Sequence, residues 1–541
     1  MAQSFAALLS YLLFFFTYSG HAQQLSVPLD YGTFKGVYSS TYDINYWRKI
    51  PYAAPPVGEN RFRAPQPPLA ITNGTYDSNK DFDLCPQRTG CLLPLPVNGS
   101  EDCLYLGLFS RPWTPSKPLR PVVIFFHGGG FIRGGGPFTI PPGGYPVLNI
   151  TNSTDLLFIY PNYRVNAFGF LPGAEVASSP TSDLNPGLLD QRAVLEWTRK
   201  YIKKFGGDPK DVSIWGQSAG AGSVVAQVLA NGNSSPRLFS KAVASSPFWS
   251  KTYRYDSVES QTVYDTFANL SGCAGPESLK CLKGADLQVL RTAALQIASS
   301  NEFTTSSFTW GPVIDGTFLK RPLSEVTKKG DLDVDFGFGF YNSHEGENFI
   351  PPGLANDTSS GTPAFNSSTA SFDAWVKGFL PRFSERNLRR LKEMYPAVGS
   401  TETISNYNTT YVRAGLIYRD VVLACPASWM ARGAKKRSYV GEYTISPAKH
   451  ASDTQFWNQV NAIQKSQPLI YKGFTGAFAS FFQTSDPNKN KLTNSSQPGV
   501  PEYWKTGKEF VVNSDGFQNL KLDLLAKRCA FWKDVGEFVP I

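Results

Sequence analysis

The run from Phe205 to Gly222, FGGDPKDVSIWGQSAGAG, constrains the fold more than any other part of the chain. It reads as a buried strand over Val212 to Trp215, a Gly216-Gln217-Ser218-Ala219-Gly220 turn, and then a helix. The pattern G-x-S-x-G alone arises by chance roughly 0.2 times in a chain of this length. A strand entering it and a helix leaving it turn it into a nucleophile elbow. In so tight a turn the flanking backbones pass closely, which Gly216 and Gly220 permit, and the Ser218 hydroxyl is pushed out at the top of a sheet. Ser218 is the expected nucleophile.

A serine hydroxyl attacks only when a base takes its proton, and the chain holds four histidines. His21 lies in a segment expected to be removed, and His127 opens the loop HGGGF. His344 precedes Glu345 in NSHEGENF, just past the apolar, strand-like run Val334 to Tyr341. His450 sits in the loop PAKHASD, after the strand-like SYVGEYT. Ser218, Glu345 and His450 follow the order Ser, acid, His that accompanies such an elbow. Neighbours at an extended strand end point to opposite sides, so His344 and Glu345 would not serve together. His450 is therefore the expected base, Glu345 its acid, and His344 the alternative base. HGGGF follows the strand-like PVVIFF (Pro121 to Phe126), and its glycines let bare amides turn toward one point; Ala219, after the nucleophile, adds another. A glycine run is by itself most often a plain turn. Its place after a strand and ahead of an elbow favours an oxyanion hole.

With these motifs the chain resembles the type-B carboxylesterases, the family that includes cholinesterases and certain secreted fungal lipases. The likeness covers nearly the whole chain: IPYAAPPVGENRF (Ile50 to Phe62), EDCLYL (Glu101 to Leu106), HGGGF, NPGLLDQRAVLEW (Asn185 to Trp197), the elbow, and RCAFW (Arg528 to Trp532). It implies an α/β-hydrolase fold, a mostly parallel sheet flanked by helices with large insertions, as one domain over 23–541. It places the oxyanion donors on Gly129, Gly130 and Ala219, the triad on Ser218, Glu345 and His450, and a supporting carboxylate on Asp453 with Ser246 as its serine partner. It also implies disulfides Cys85–Cys103, Cys273–Cys281 and Cys425–Cys529, leaving Cys91, which competes with Cys85 for Cys103. Gly107 stands where the family usually has Asn, Asp or Ser. Gln217 replaces the Glu common before the nucleophile, which removes a negative charge and weakens any case for cationic substrates.

Composition fits one large core, with 41% hydrophobic and 14% aromatic residues. The net charge of +9 is spread along the chain, with no Lys/Arg cluster dense enough to argue for nucleic acid. Ala355 to Ser371 and Gln483 to Pro498 read as polar surface loops. Ala6 to Tyr18 is apolar but too short to span a bilayer, and Gly20 and Ala22 suit signal peptidase, so residues 1–22 are expected to be a signal peptide. Sequons at Asn73, Asn98, Asn149, Asn152, Asn233, Asn269, Asn356, Asn366, Asn408 and Asn494 agree with a secreted glycoprotein. The last residues, EFVPI, carry no hydrophobic anchor. The cysteines lack the paired short spacings of a zinc site, and no cofactor or metal is expected.

The Cys85 to Cys103 loop is short, lacks tryptophan, and has only LLPLP as its apolar part. It offers neither a cation box nor a large lid, which points to small or medium neutral esters. Phe248 and Trp249 are candidates for an acyl pocket or for plain core. Two alternatives stay open: an interfacial lipase or sterol esterase of the same family, and a noncatalytic adhesion or binding homologue. Oligomeric state is not legible.

Overall fold

The computed structural model of the protein describes residues 25–541 except 73, 82, 88–98, 136–138, 151–155, 231–236, 302–309, 327 and 362, and the side chains of 298–301. The expected signal segment, Cys91, most of the flap behind it, and the sequons at Asn73, Asn98, Asn152 and Asn233 lie outside the described residues.

Strands at the centre are buried on both faces. In Arg120–Phe126, Val122, Ile124 and Phe126 join one hydrophobic cluster while Val123 and Phe125 join another. The same split separates Ile214 from Trp215, and Ala242 and Ala244 from Val243. That two-residue period is what a sheet covered by helices on both sides requires. The strands of the main sheet are β1 (Val37–Ser39), β2 (Ile44–Pro51), β3 (Tyr105–Ser110), β4 (Arg120–Phe126), β5 (Leu157–Pro161), β6 (Gly207–Gln217), β7 (Lys241–Ser245), β8 (Phe336–Asn342), β9 (Arg437–Tyr443), β10 (Lys508–Asn513) and β11 (Gly516–Lys521), and Ser26–Leu29, Gly32–Lys35 and Thr75–Asp77 pair in a separate small sheet. Among the described residues β1 to β11 form one eleven-stranded sheet in the order β11-β10-β9-β8-β7-β6-β4-β5-β3-β2-β1. From β10 to β5 neighbours run parallel, and the outer strands are antiparallel.

Helices α1 (Pro186–Tyr201), α2 (Ala219–Leu229), α3 (Val258–Leu270), α4 (Thr369–Phe379) and α5 (Gly476–Thr484) carry the arguments below. Val194 and Trp197 of α1 and Val224 of α2 pack in the first cluster, and Phe478 and Phe482 of α5 in the second. The chain goes from β4 to β5 on one side and then returns to place β6 on the other side of β4. Loops leaving the carboxyl ends of β4 and β6 therefore diverge and open a crevice.

Disulfides join Cys85 to Cys103, Cys273 to Cys281 and Cys425 to Cys529. The helix Cys425–Gly433 lies directly on β8, where a Cβ on Gly339 would stand 2.2 Å from Ala427 O. Beside it lies a buried charge cluster. Arg419 pairs with Asp420 (2.7 Å) and Glu442 (3.4 Å), Arg528 pairs with Asp420 (2.5 Å), and Tyr341 donates to Glu509 Oε2 (2.7 Å).

Burial pushes the Glu442 pKa up to about 7 and raises that of Glu509 well above the ordinary carboxylate range. Glu442 has Arg419 and the Thr403 hydroxyl to support its charge, while Glu509 Oε1 has no partner. Of the two carboxyls, Glu509 is therefore the one that burial holds protonated. A carboxyl with a raised folded pKa stabilises fully below its ordinary pKa and loses that contribution as pH rises toward the folded value. Glu509→Gln is thus expected to leave the melting temperature near pH ~4 unchanged and to raise it by a few degrees near pH ~8. Melting curves at both pH values check this, and a lower melting temperature at the higher pH would contradict it.

Candidate active site

β6 ends at Gln217 and α2 begins at Ala219, so Ser218 alone makes the turn, at φ 59° and ψ −128°. A non-glycine residue there costs on the order of 1–3 kcal/mol and persists only where its surroundings enforce it. They do: Ser218 N donates to Ser245 O (3.1 Å), and Ser218 O accepts from Gly222 N and Phe248 N, both at 2.9 Å. The glycines answer to close approach: a Cβ on Gly216 would stand 2.2 Å from Gly220 C, and one on Gly220 2.0 Å from Phe126 O.

Ser218 and His450 line one cleft of about 600 Å³ at the carboxyl ends of the parallel strands, together with His127, Gly128, Gly129, Arg133, Gln217 and Trp457. The HGGGF loop leaves β4 and runs against the elbow, where a Cβ on Gly128 would come 3.0 Å from Ser218 Cβ. Gly129 (φ 113°) and Gly130 (φ 65°) have backbone that glycine alone adopts freely. No acceptor among the described residues takes their N–H groups, and Ala219, at the first helical position, has no intrahelical partner for its own. Gly129 lines the cleft; Gly130 and Ala219 each lie one residue beyond a lining residue. The His127 ring stacks on Tyr163 with centroids 4.1 Å apart, and its Nδ1–H donates to Gly128 O (3.0 Å). Burial pushes its pKa down to about 4, so the ring is neutral near pH ~7.

Glu345 is fully buried in the 3-10 turn Glu345–Asn348 that follows β8. Its Oε2 lies 3.0 Å from His450 Nδ1, and its Oε1 accepts from Asn342 N at 3.2 Å. The His450 backbone N–H donates to Asn348 Oδ1 (3.0 Å), and its ring meets the edge of Phe349 at 4.9 Å. The sequence expectation for His344 needs a different cause. β8 has already ended at Asn342, so His344 and Glu345 do not oppose one another across an extended strand. The three-residue repeat of the turn sets His344 beside Glu347 instead, with Nδ1 to Oε1 at 2.7 Å. Glu347 is held from its other side by Lys449.

Asp453 and Ser246 do not bond to each other directly. Asn342 Nδ2 joins them, donating to Ser246 Oγ (2.9 Å), to Asp453 Oδ1 (3.2 Å) and, more weakly, to Glu345 Oε2 (3.4 Å). Asp453 Oδ2 accepts from Trp457 Nε1 (3.0 Å), and burial raises its pKa to about 6. Asn342 is the residue sequence reasoning missed, and its one signal is its place three residues before Glu345. Phe248 and Trp249 are fully buried and belong to the core; neither lines the cleft. Ser218 Oγ makes no hydrogen bond with a described residue, and His450 Nε2 faces Gln217 Nε2 at 3.3 Å. Among the described residues no group of His, Cys, Asp or Glu is arranged to hold a metal ion, and no helix is long and apolar enough to cross a membrane.

Residues 23–532 match the carboxylesterase family. "Carboxylesterase patB" of Penicillium expansum is 26% identical over 92% of this chain and 93% of its own length. "Secreted lipase" of Arthroderma benhamiae is 29% identical over 86% of each. The crystal structure of Aspergillus niger EstA superposes with a TM-score of 0.79 at 24% identity, covering 96% of this chain and 100% of that one, and shows the shared fold. The chain belongs to the carboxylesterase family and is a carboxylic-ester hydrolase with the α/β-hydrolase fold.

Proposed function

We propose that the chain is a secreted serine esterase working through an acyl-enzyme on Ser218, with His450 as base and Glu345 orienting it. What carries the proposal is the 3.0 Å contact between Glu345 Oε2 and His450 Nδ1 at the cleft that also holds the strained Ser218. Nδ1–H is then given to the carboxylate, and Nε2 keeps a lone pair on the cleft side. As Ser218 Oγ attacks the ester carbonyl, His450 takes its proton. The oxyanion meets the N–H groups of Gly129, Gly130 and Ala219. The alcohol leaves with the proton from His450, and water repeats the cycle to release the acid.

The Gln217 amide stands where the Ser218 hydroxyl must donate. Removing it with Gln217→Ala is expected to raise kcat/KM by up to about tenfold, the worth of one neutral hydrogen bond. An unchanged or reduced kcat/KM would show that the amide does not compete.

The favoured substrates are neutral esters of small or medium acids. No carboxylate among the described residues lines the cleft, while Arg133 does, which disfavours cationic esters. Rates on p-nitrophenyl esters are expected to saturate, to peak at short or medium acyl chains and to fall toward palmitate, with no preference for butyrylcholine over a neutral butyrate. The names of relatives such as "Secreted triacylglycerol lipase LIP1" of Gibberella zeae support the rival interfacial lipase. A jump in rate once triolein forms droplets, with triolein preferred over tributyrin, would decide for it.

The same proposal takes residues 1–22 as a removed signal peptide and 23–541 as one catalytic domain. The described sequons at Asn149, Asn269, Asn356, Asn408 and Asn494 are exposed, and that at Asn366 is half-exposed, which supports glycosylation on a secretory route.

A further inference from the structure

The loop that carries His450 is strained on both sides of the histidine. Ala448 (φ 47°) and Ala451 (φ 69°) take left-handed backbone, which is unfavourable for any residue but glycine and persists only where the surroundings enforce it. Much of that enforcement comes from one place. The 3-10 turn Glu345–Asn348 reaches the loop at three points. Glu345 Oε2 meets His450 Nδ1 at 3.0 Å, Asn348 Oδ1 accepts from the His450 backbone N–H at 3.0 Å, and Glu347 Oε2 accepts from Lys449 Nζ. Just before the turn, His344 N donates to Ala448 O at 3.0 Å.

Glu347 is a fixed anchor. Its side chain is 6% exposed and packs on the helix Thr410–Arg419, where a Cβ on Gly415 would stand 2.4 Å from Glu347 Cγ. Tyr411 of that helix donates to Glu347 O at 3.0 Å, and His344 Nδ1 lies 2.7 Å from Glu347 Oε1. Burial would raise the Glu347 pKa, yet the hydrogen bonds from His344 and Lys449 hold it below the ordinary carboxylate value, so the group is charged near pH ~7. The Lys449 ammonium also stands 5.4 Å from the Tyr411 ring. An ion pair between two exposed side chains holds little, because both ends move. Here one end is immobile, so the bond fixes Lys449, the residue next to the histidine.

We propose that Glu347 and Lys449 are positioning residues for ester hydrolysis: their ion pair clamps the strained segment 448–451 and so keeps His450 Nε2 turned toward the Ser218 side of the cleft. The inference rests on His450 being the base. Neither residue of the pair lines the cleft, so neither meets the ester itself. Both Glu347 oxygens are already engaged, which leaves that carboxylate no part as a base of its own. The pair acts through the histidine. A general base displaced by a fraction of its reach loses alignment with the hydroxyl it must deprotonate, and the loss falls on the chemical step while the ester binds as before.

Steady-state kinetics on p-nitrophenyl butyrate, with melting curves to show that each variant is folded at the assay temperature, test this. Lys449→Met and Glu347→Gln are each expected to lower kcat about 10- to 100-fold with KM within about twofold, while Lys449→Arg, which keeps the cation, stays within about threefold of the unmodified chain. The double variant is expected to fall no further than the worse single one, because the shared bond is lost once. Ala451→Gly placed in Lys449→Met is expected to recover at least about threefold of kcat, since glycine takes that backbone without strain. The inference is overturned by a Lys449→Met kcat equal to that of the unmodified chain, by a loss carried in KM, by an equal loss in Lys449→Arg, by single losses that multiply in the double variant, or by no recovery with Ala451→Gly. His450→Ala separates the two readings. If it stays active, the base is misassigned and this inference falls with it; if it is dead beside a fully active Lys449→Met, this inference alone is overturned.

Discussion

Ser218→Ala is expected to lower the turnover of p-nitrophenyl butyrate on the order of 10⁶-fold while leaving the melting temperature in place. The backbone at 218 is held by Ser245 O, Gly222 N and Phe248 N, none of which involves the hydroxyl, so the variant loses the proposed nucleophile and keeps the elbow. His450→Ala is expected to cost about as much, because members of a triad act as a unit and a serine without its base is no better than a serine in water. His344→Ala is the control. It lies as close to Glu345 in sequence as any residue can, yet its ring is spent on Glu347 at 2.7 Å and does not reach the cleft. Its loss is expected to change turnover less than about tenfold. A dead His344→Ala beside an active His450→Ala would reverse the assignment of the base.

The elbow was legible because its chemistry is local: the strand, the turn glycines and the helix start lie within one short run, and close approach leaves only glycine at 216 and 220. The strand before Glu345 was legible in place and less so in extent. The apolar run Val334 to Tyr341 becomes Phe336–Asn342, since Asp333 and Asp335 are drawn aside to Arg237 and pairing with Tyr443 carries the ladder on to the polar Asn342. What the sequence hid depends on distant partners. Nothing near Asn342 tells that it will donate to Ser246 and Asp453, and nothing near Gln217 tells that its amide will meet a ring in the loop after β9. The raised pKa of the Glu509 carboxyl is likewise a property of burial, which a polar residue in a mixed sequence does not announce.

Glu345→Gln is expected to lower turnover about 10⁴-fold, the scale of losing the carboxylate that fixes the histidine tautomer. Three acids lie near His450, and the hydrogen bonds separate them. Glu347 is committed to His344 and Lys449. Asp453 takes Asn342 Nδ2 and Trp457 Nε1, and its hydrogen bonds reach Glu345 through Asn342. Glu345 alone of the three reaches His450 Nδ1. A glutamine at 345 can present an N–H to Nδ1, which would move the imidazole proton to Nε2 and leave no lone pair for the Ser218 hydroxyl. It would also leave a forming imidazolium without its counter-charge. Both effects fall on the transition state, so kcat and kcat/KM should drop together with KM little changed. Asp453→Asn reaches Glu345 only by way of Asn342, and its cost is expected to stay within about tenfold. Steady-state kinetics of the two variants side by side decide the matter: if Asp453→Asn is as damaging as Glu345→Gln, the orienting charge belongs to the Asn342 network as a whole and not to Glu345.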